Sequence, residues 1–230
     1  MEKKNIIDFH THILPGADHG SKNVETTKAQ LALLNKAGVT AAVATPHFYP
    51  QNDSVESFLE RRSRCAEELF AISGERPEVY LGAEVLVCAG IDHMPNIERL
   101  CIEGTETILL EMPFSSWREE HIEAVARIAR SGLNVVMAHI DRYPEKDLIK
   151  LFSECDVLCQ INGETQATFK GRKKAEKLIR DFPCVAVGSD LHGADKKALK
   201  NLLSLSKRFE KAGIDACAEA AALLEGAKAF

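Results

Sequence analysis

The chain has 230 residues, 29 basic and 34 acidic side chains, a net charge of −5 and an apolar content of 45%. That size and composition suit a globular α/β domain, and the acidic balance argues against a general nucleic-acid binder. No apolar run is long enough for a membrane-spanning helix, so no membrane insertion is expected. The charged start Met1-Glu2-Lys3-Lys4 is not followed by the apolar core of a secretory signal, which points to the cytoplasm.

The first apolar run, 5–10, reads as a strand and leads into Asp8-Phe9-His10-Thr11-His12. Strand side chains alternate between faces, so His10 and His12 point the same way and can share one metal ion. A shaped turn follows, Ile13-Leu14-Pro15-Gly16-Ala17-Asp18-His19-Gly20, in which Asp18 and His19 are further candidate ligands. Residues 23–37 carry Leu31, Leu33, Leu34 and Ala37 at helical spacing, and Gly38 stops that helix. The second strand, 39–45, runs into Thr45-Pro46-His47. A helix over 54–73 leads to a third strand, 78–87, which carries Glu84. The strand at 107–111 ends on Glu111, before Met112-Pro113-Phe114. A helix over 119–131 and a strand over 134–138 deliver His139, with Asp141-Arg142-Tyr143 just beyond. Then come a helix at 145–153, a strand at 156–161, a helix at 171–181, and a strand at 184–189 that ends in Asp190-Leu191-His192. Helices at 195–211 and 215–228 complete the chain.

Strands rich in Val, Ile and Leu that alternate with helices predict a parallel sheet within a single domain, 1–230. No Gly-x-Gly-x-x-Gly follows a strand, which disfavours a dinucleotide-binding open sheet. A barrel gathers its reactive groups at the C-terminal strand ends. Six of the 8 histidines lie at such ends or in the first loop, while His93 and His121 are expected on the surface. An apolar strand has no structural reason to end in Glu84, Glu111 or Asp190 unless the charge is paired or bound to metal. Histidine with carboxylate suits two or three manganese, iron or zinc ions, and the missing thiolates argue against a structural zinc site. Such a cluster activates water and clamps phosphate oxygens, so hydrolysis at phosphorus is expected. The seven cysteines are scattered and read as reduced structural thiols. None is followed six positions later by arginine, the spacing of a cysteine-based phosphatase loop.

Together these motifs resemble the polymerase-and-histidinol-phosphatase (PHP) superfamily. Within it they are most similar to the bacterial manganese-dependent protein-tyrosine phosphatases of capsular and exopolysaccharide operons. Their opening pattern, Asp-x-His-x-His-Ile-Leu-Pro-Gly-x-Asp-Asp-Gly, matches residues 8–20. Ala44-Thr45-Pro46-His47, Glu111-Met112-Pro113-Phe114, Ala138-His139-Ile140-Asp141-Arg142-Tyr143 and Ser189-Asp190-Leu191-His192 follow in family order. The resemblance implies a distorted seven-stranded (β/α)7 TIM-like barrel of the PHP type. It implies up to three divalent ions, manganese foremost, with iron or zinc as alternatives. His10, His12, Glu84 and Asp190 would hold the first ion, and Glu84, Glu111 and His139 the second. The third would take His47, His192 and either Asp18 or His19. Arg142, Asp190 and His192 would form the reacting edge, with a metal-bound hydroxide attacking phosphorus. The substrate would be a phosphotyrosine protein, a cytoplasmic tyrosine kinase of polysaccharide biosynthesis, and some members of the family are homo-oligomers.

Three departures stand out. His19 replaces the second Asp of Asp-Asp-Gly, Ile140 replaces a proline, and Lys196 or Lys197 stands where the family carries an arginine near the phosphate. Lysine lacks the guanidinium fork. Two alternatives therefore stay open: a phosphomonoesterase for a small ester such as histidinol phosphate, and a non-catalytic PHP domain.

Overall fold

The computed structural model describes residues 5–72 and 77–229. The expected alternation of strand and helix is present along the chain. It begins β1 (Ile7–Thr11), α1 (Val24–Ala37), β2 (Ala41–Ala44), β3 (His47–Phe48), α2 (Val55–Phe70), β4 (Glu78–Leu81) and β5 (Glu84–Leu86). It continues β6 (Thr107–Glu111), α3 (Glu119–Arg130), β7 (Asn134–Met137), α4 (Glu145–Glu154), β8 (Leu158–Asn162) and α5 (Phe169–Asp181). β9 (Cys184–Gly188), α6 (Lys196–Lys211) and α7 (Ala216–Leu223) complete it. Among the described residues, no helix is long and apolar enough to cross a membrane. Asn23, Ser54, Thr168, Asp195 and Asp215 cap helix starts with side-chain oxygens, and all but the Thr168 start coincide with the expected boundaries.

Every strand pairing is parallel, but the ladders form two sheets, β1-β2-β4 and β3-β5-β6-β7-β8-β9. The second expected strand, 39–45, stops as β2 before Thr45-Pro46, beyond which β3 starts in the other sheet, and the third, 78–87, is interrupted by Gly82-Ala83 between β4 and β5. Proline has no N–H to give to a ladder, so the first break has a direct cause. Between the two sheets, β1 and β9 meet through the Asp190 N–H, which donates to the His10 carbonyl at 2.8 Å, and through a single bridge between Thr11 and Leu191. No continuous ladder closes the sheets among the described residues.

Ile7, Phe9, Ala41, Val43, Leu109, Val136 and Ala186 form one apolar cluster. Ala220 and Leu224 pack into it from the C-terminal helix, and the Thr107 hydroxyl at the start of β6 donates to the Leu223 carbonyl at 2.9 Å. α7 therefore covers the end of this cluster where β6 begins, opposite Glu111. The alternate strand residues, among them Ala42, Ala44, Ile108, Leu110, Val135 and Met137, belong to a larger cluster with the buried faces of α1–α6. With apolar packing on both strand faces, polar groups collect at the strand ends.

Candidate metal centre

His10, His12, His47, Glu84, Glu111, His139, Asp190 and His192 arrive from β1, β3, β5, β6, and the segments after β7 and β9, and they meet in one cluster. Their ligand atoms fall into overlapping groups: His10–Glu84–His139, His10–His12–Asp190, His47–Glu84–Glu111 and His12–His47–His192. The register pairs His47 directly with Glu84 across β3 and β5. Glu84 lies at the middle. Its Oε2 is 3.2 Å from His10 Nε2, 3.4 Å from His12 Nε2 and 2.9 Å from His47 Nδ1, and its Oε1 is 2.8 Å from His139 Nε2. Asp190 Oδ1 is 3.2 Å from His12 Nε2 and 3.3 Å from His192 Nδ1, and Glu111 Oε1 is 3.3 Å from His139 Nε2.

The donor set fits divalent cations on three observations. His10 Nε2 and His12 Nε2 face each other at 3.1 Å, and two ligands of one ion with bonds of about 2.1 Å sit roughly that far apart. Glu84 Oε2 and His47 Nδ1 are buried and lack a hydrogen bond, although they lie 2.9 Å apart. The electrostatics ask for positive charge. Against the effect of burial, His10, His12 and His139 hold Glu84 well below the usual carboxylate range. His10, His12 and His192 do the same to Asp190. Burial opposes protonation of His139, yet Glu111 and Glu84 raise it to about 9. His12 is likewise pushed up by Asp18, Asp190 and Glu84.

Surrounding groups orient these ligands. The Asp18 carboxylate takes His12 Nδ1 at 2.6 Å, the Gly20 N–H at 2.8 Å and the His47 N–H at 3.1 Å, which leaves His12 Nε2 for the centre. Asp18 thus touches the centre through His12. A Cβ on Gly20 would lie 2.1 Å from His12 Cβ, so this turn admits only glycine without rearrangement. His19 is exposed, stacks on His47 with ring centroids 4.9 Å apart and meets His192 at a tilt at 4.6 Å, outside the four ligand groups. Arg142, at the end of a 3-10 turn over Ile140–Arg142, places its guanidinium 2.6 Å from Asp190 Oδ2 and 3.6 Å from Glu164. Lys196 and Lys197 are exposed at the first turn of α6.

Several supporting residues were missed from sequence. Gln160 Oε1 accepts the His139 N–H at 2.8 Å and faces His10 Nδ1 at 3.4 Å. The Gln160 amide donates to Asn162 Oδ1, and Asn162 Nδ2 donates to Asp190 Oδ2 at 3.1 Å. The available signal was Gln160-Ile161-Asn162 itself, two buried amides at strand spacing in an apolar run. Asp8, pushed up to about 6 by burial, accepts the Ser189 N–H at 2.8 Å and braces β1 against the end of β9. His139 and Asp190 both adopt positive φ, 32° and 51°, a strain that the surrounding bonds must hold in place. One expectation is corrected: His93 is exposed, but His121 is buried, because its Nδ1 accepts the Arg118 N–H at 3.2 Å and closes the start of α3.

A parallel α/β fold with a buried centre of shared carboxylates and imidazoles defines a candidate metal-binding protein. The chain belongs to the capsular polysaccharide synthesis family CpsB/CapC, whose model matches residues 6–219. The tyrosine-protein phosphatase CpsB of Streptococcus pneumoniae is 27% identical over 214 residues, covering 84% of this chain and 85% of its own. CpsB of Streptococcus agalactiae serotype V is 24% identical over 209 residues, covering 83% and 84%. Among solved structures, one from the work on YwqE of Bacillus subtilis and CpsB of S. pneumoniae, described there as metal-dependent tyrosine phosphatases, superposes with a TM-score of 0.78. It is 19% identical and covers 98% of this chain and 96% of its own, a likeness of fold.

Proposed function

We propose that the protein is a metal-dependent phosphatase that hydrolyses phosphotyrosine in a protein substrate. The observation that carries this reading is the convergence of five histidines and three acidic residues on one buried cluster, with Arg142 at its edge. Membership of the CpsB/CapC family and likeness to the CpsB phosphatases support it. His10, His12, Glu84 and Asp190 would hold one ion, Glu84 with Glu111 and His139 a second, and His47 with His192 a third, completed by Asp18 or His19, or by His12, which shares their group. Manganese suits this mixed set of nitrogen and carboxylate donors. When bound, such ions lower the pKa of a coordinated water and withdraw charge from phosphate oxygens.

The chain's own residues do the rest. Asp190 tethers Arg142, whose fork can bind two phosphate oxygens. Asp18 fixes His12 with its proton on Nδ1, and Gln160 fixes His10 and the His139 backbone. Tyr143 takes the Met112 N–H on its hydroxyl at 2.9 Å, which sets the course of the segment after β6. The leaving phenol has a pKa of about 10, so it departs with less help from an acid than an alkyl alcohol needs.

In this reading the two sheets are parts of one distorted (β/α)7 barrel, with β2–β3 and β4–β5 each counting as an interrupted strand. Residues 1–230 form one domain, and the substrate is a cytoplasmic tyrosine kinase of polysaccharide synthesis. The test is release of phosphate from a phosphotyrosine peptide and from histidinol phosphate, after reconstitution with Mn²⁺ and again with chelator. Chelator-sensitive release from the peptide is the expected result. Release from the small ester alone would move the function to metabolism, and release from neither would remove the phosphatase reading.

A further inference from the structure

Three large apolar side chains are prominently exposed among the described residues: Phe114, Ile149 and Phe169. Phe169 is covered in part by its own helix, with Lys173 Nζ 4.7 Å from the ring centroid and Arg172 at 6.0 Å. Ile149 lies on the outer surface of α4. Phe114 is different, because its ring lies beside that of His139 in the candidate metal centre. Its residue surface is 70% exposed, yet its ring lies 6.1 Å from that of His139 and is inclined to it by only 17°.

The backbone under this ring is held firmly. Met112 is tied to the Tyr143 hydroxyl, Pro113 has a fixed φ, and the Trp117 indole N–H donates to the Pro113 carbonyl at 3.0 Å. The Trp117 ring meets Tyr143 edge-on at 5.0 Å, and Phe114 itself lies 6.5 Å from Tyr143. A large aromatic side chain held in water by a braced segment forgoes burial that it could gain elsewhere. Its backbone also arrives with little ordering left to lose on binding. Its ring lies beside that of His139, the residue that touches both Glu84 and Glu111.

We propose that Phe114 is the specificity-determining platform for the aryl group of the substrate, stacking on the phenyl ring of a phosphate monoester whose phosphate lies at the centre. This rests on the phosphatase reading and adds to it the origin of aryl selectivity. The metal ligands and Arg142 recognise the phosphate of any monoester, whereas Phe114 recognises what is attached to it. Paired rings prefer centroid separations of about 4.5–7 Å and are worth a several-fold change in affinity.

The test compares binding of phenylphosphonate and methylphosphonate to the Mn²⁺-loaded protein by calorimetry, for the wild type, Phe114→Ala, Phe114→Leu and Phe114→Trp. Neither ligand can be hydrolysed, so the readout does not need turnover. The wild type should prefer the phenyl ligand by about tenfold. Phe114→Ala and Phe114→Leu should lose that preference, Phe114→Trp should keep it, and methylphosphonate binding and metal content should stay constant. On a phosphotyrosine peptide the loss in Phe114→Ala should fall on KM, with kcat little changed. A wild type that fails to bind or to prefer the phenyl ligand, or a preference that survives Phe114→Ala or Phe114→Leu, would overturn the platform. If the wild type turns over phosphotyrosine while Phe114→Ala is unaltered, only this inference fails. A phenyl preference without hydrolysis of any ester removes the phosphatase reading and leaves the platform.

Discussion

The two halves of the candidate metal centre are built by different rules. The inner half, His10, Glu84, Glu111 and His139, is at most 4% exposed and hangs on β1, β5, β6 and the end of β7. The outer half, His47, His192 and the nearby His19, rises toward solvent and sits on a two-residue strand and two loops. His12 belongs to both, since it is grouped with His10 and Asp190 on one side and with His47 and His192 on the other. The inner half holds both of the cluster's carboxylates that touch His139, and it includes the strained His139 backbone. A buried constellation of that kind is stable only if positive charge fills it, whether as protons or as metal. The outer half can reach water instead. The inner half should therefore couple metal to folding, and the outer half should tune affinity and exchange.

Glu84→Gln is the largest test of that difference. Glu84 touches His10, His12, His47 and His139, so neutralising it weakens every group at once. Activity should fall by roughly 10³-fold or more, and more than one equivalent of metal should be lost by elemental analysis. Retention of full metal content would break the account of Glu84 as the shared ligand. The metal-free protein gives a second test of the inner half. His139 has a folded-state pKa of about 9, above the ordinary histidine value of about 6.5, because Glu111 and Glu84 outweigh burial. The stability that its protonation contributes is complete below about pH 6.5 and is lost as the pH rises through about 9, an effect on the order of a few kcal/mol. Chelated protein should thus lose thermal stability across that window. Metal-loaded protein should hold its stability there, and a flat melting profile for the chelated form would contradict the argument.

His192→Ala tests the outer half. Its ring pairs with Asp190 and stacks on His12 at 4.2 Å, but it is exposed and no inner ligand depends on it. About a 100-fold loss of activity is expected, since losing a ligand exceeds the cost of losing a ligand's partner. At most one equivalent of metal should be released, and the melting temperature should change little. Loss of all metal from this variant would erase the distinction between the halves.

The asymmetry also explains what the sequence disclosed. His10, His12, His47, Glu84, Glu111, His139, Asp190 and His192 were legible because charged residues at the ends of apolar strands have few structural uses. The strand and helix order was legible because β-branched runs alternate with capped amphipathic segments. The break at Gly82-Ala83 was not, since a strand that changes sheet midway keeps its apolar pattern on either side. Gln160 and Asn162 were hidden for a different reason: an amide in a strand means nothing until the backbone N–H of His139 and the carboxylate of Asp190 are brought to it from 21 and 28 residues away. His121 misled because a buried cap is indistinguishable from a surface histidine at the start of an exposed helix.

Asp18→Asn probes the join between the halves. The carboxylate holds His12 Nδ1 at 2.6 Å and takes two backbone N–H groups, and the buried ion pair pulls its pKa well below the usual range despite desolvation. An amide can still accept from the backbone, but it no longer supplies the charge that strengthens His12 as a ligand. A loss of about 10-fold in metal affinity is expected, shared by both halves, because His12 serves both. A loss confined to one ion would place His12 in that half alone.

The smallest effect should come from His19→Ala. His19 lies parallel to His47, 9° between the planes, and partial desolvation together with His192 and His47 lowers its pKa, which favours the neutral ring that can donate a lone pair. Its nitrogens nonetheless fall outside the groups whose ligand atoms lie within 4.8 Å of one another. If the outer ion is held by His12, His47 and His192, removing His19 should change its affinity by less than about fivefold, with inner metal and melting temperature untouched. Competition titration with a chromogenic chelator resolves that. A drop as large as that of His192→Ala would make His19 a full ligand and extend the outer half into the first loop. A drop in inner-metal content would show that the two halves exchange ligands, and that burial is not what separates them.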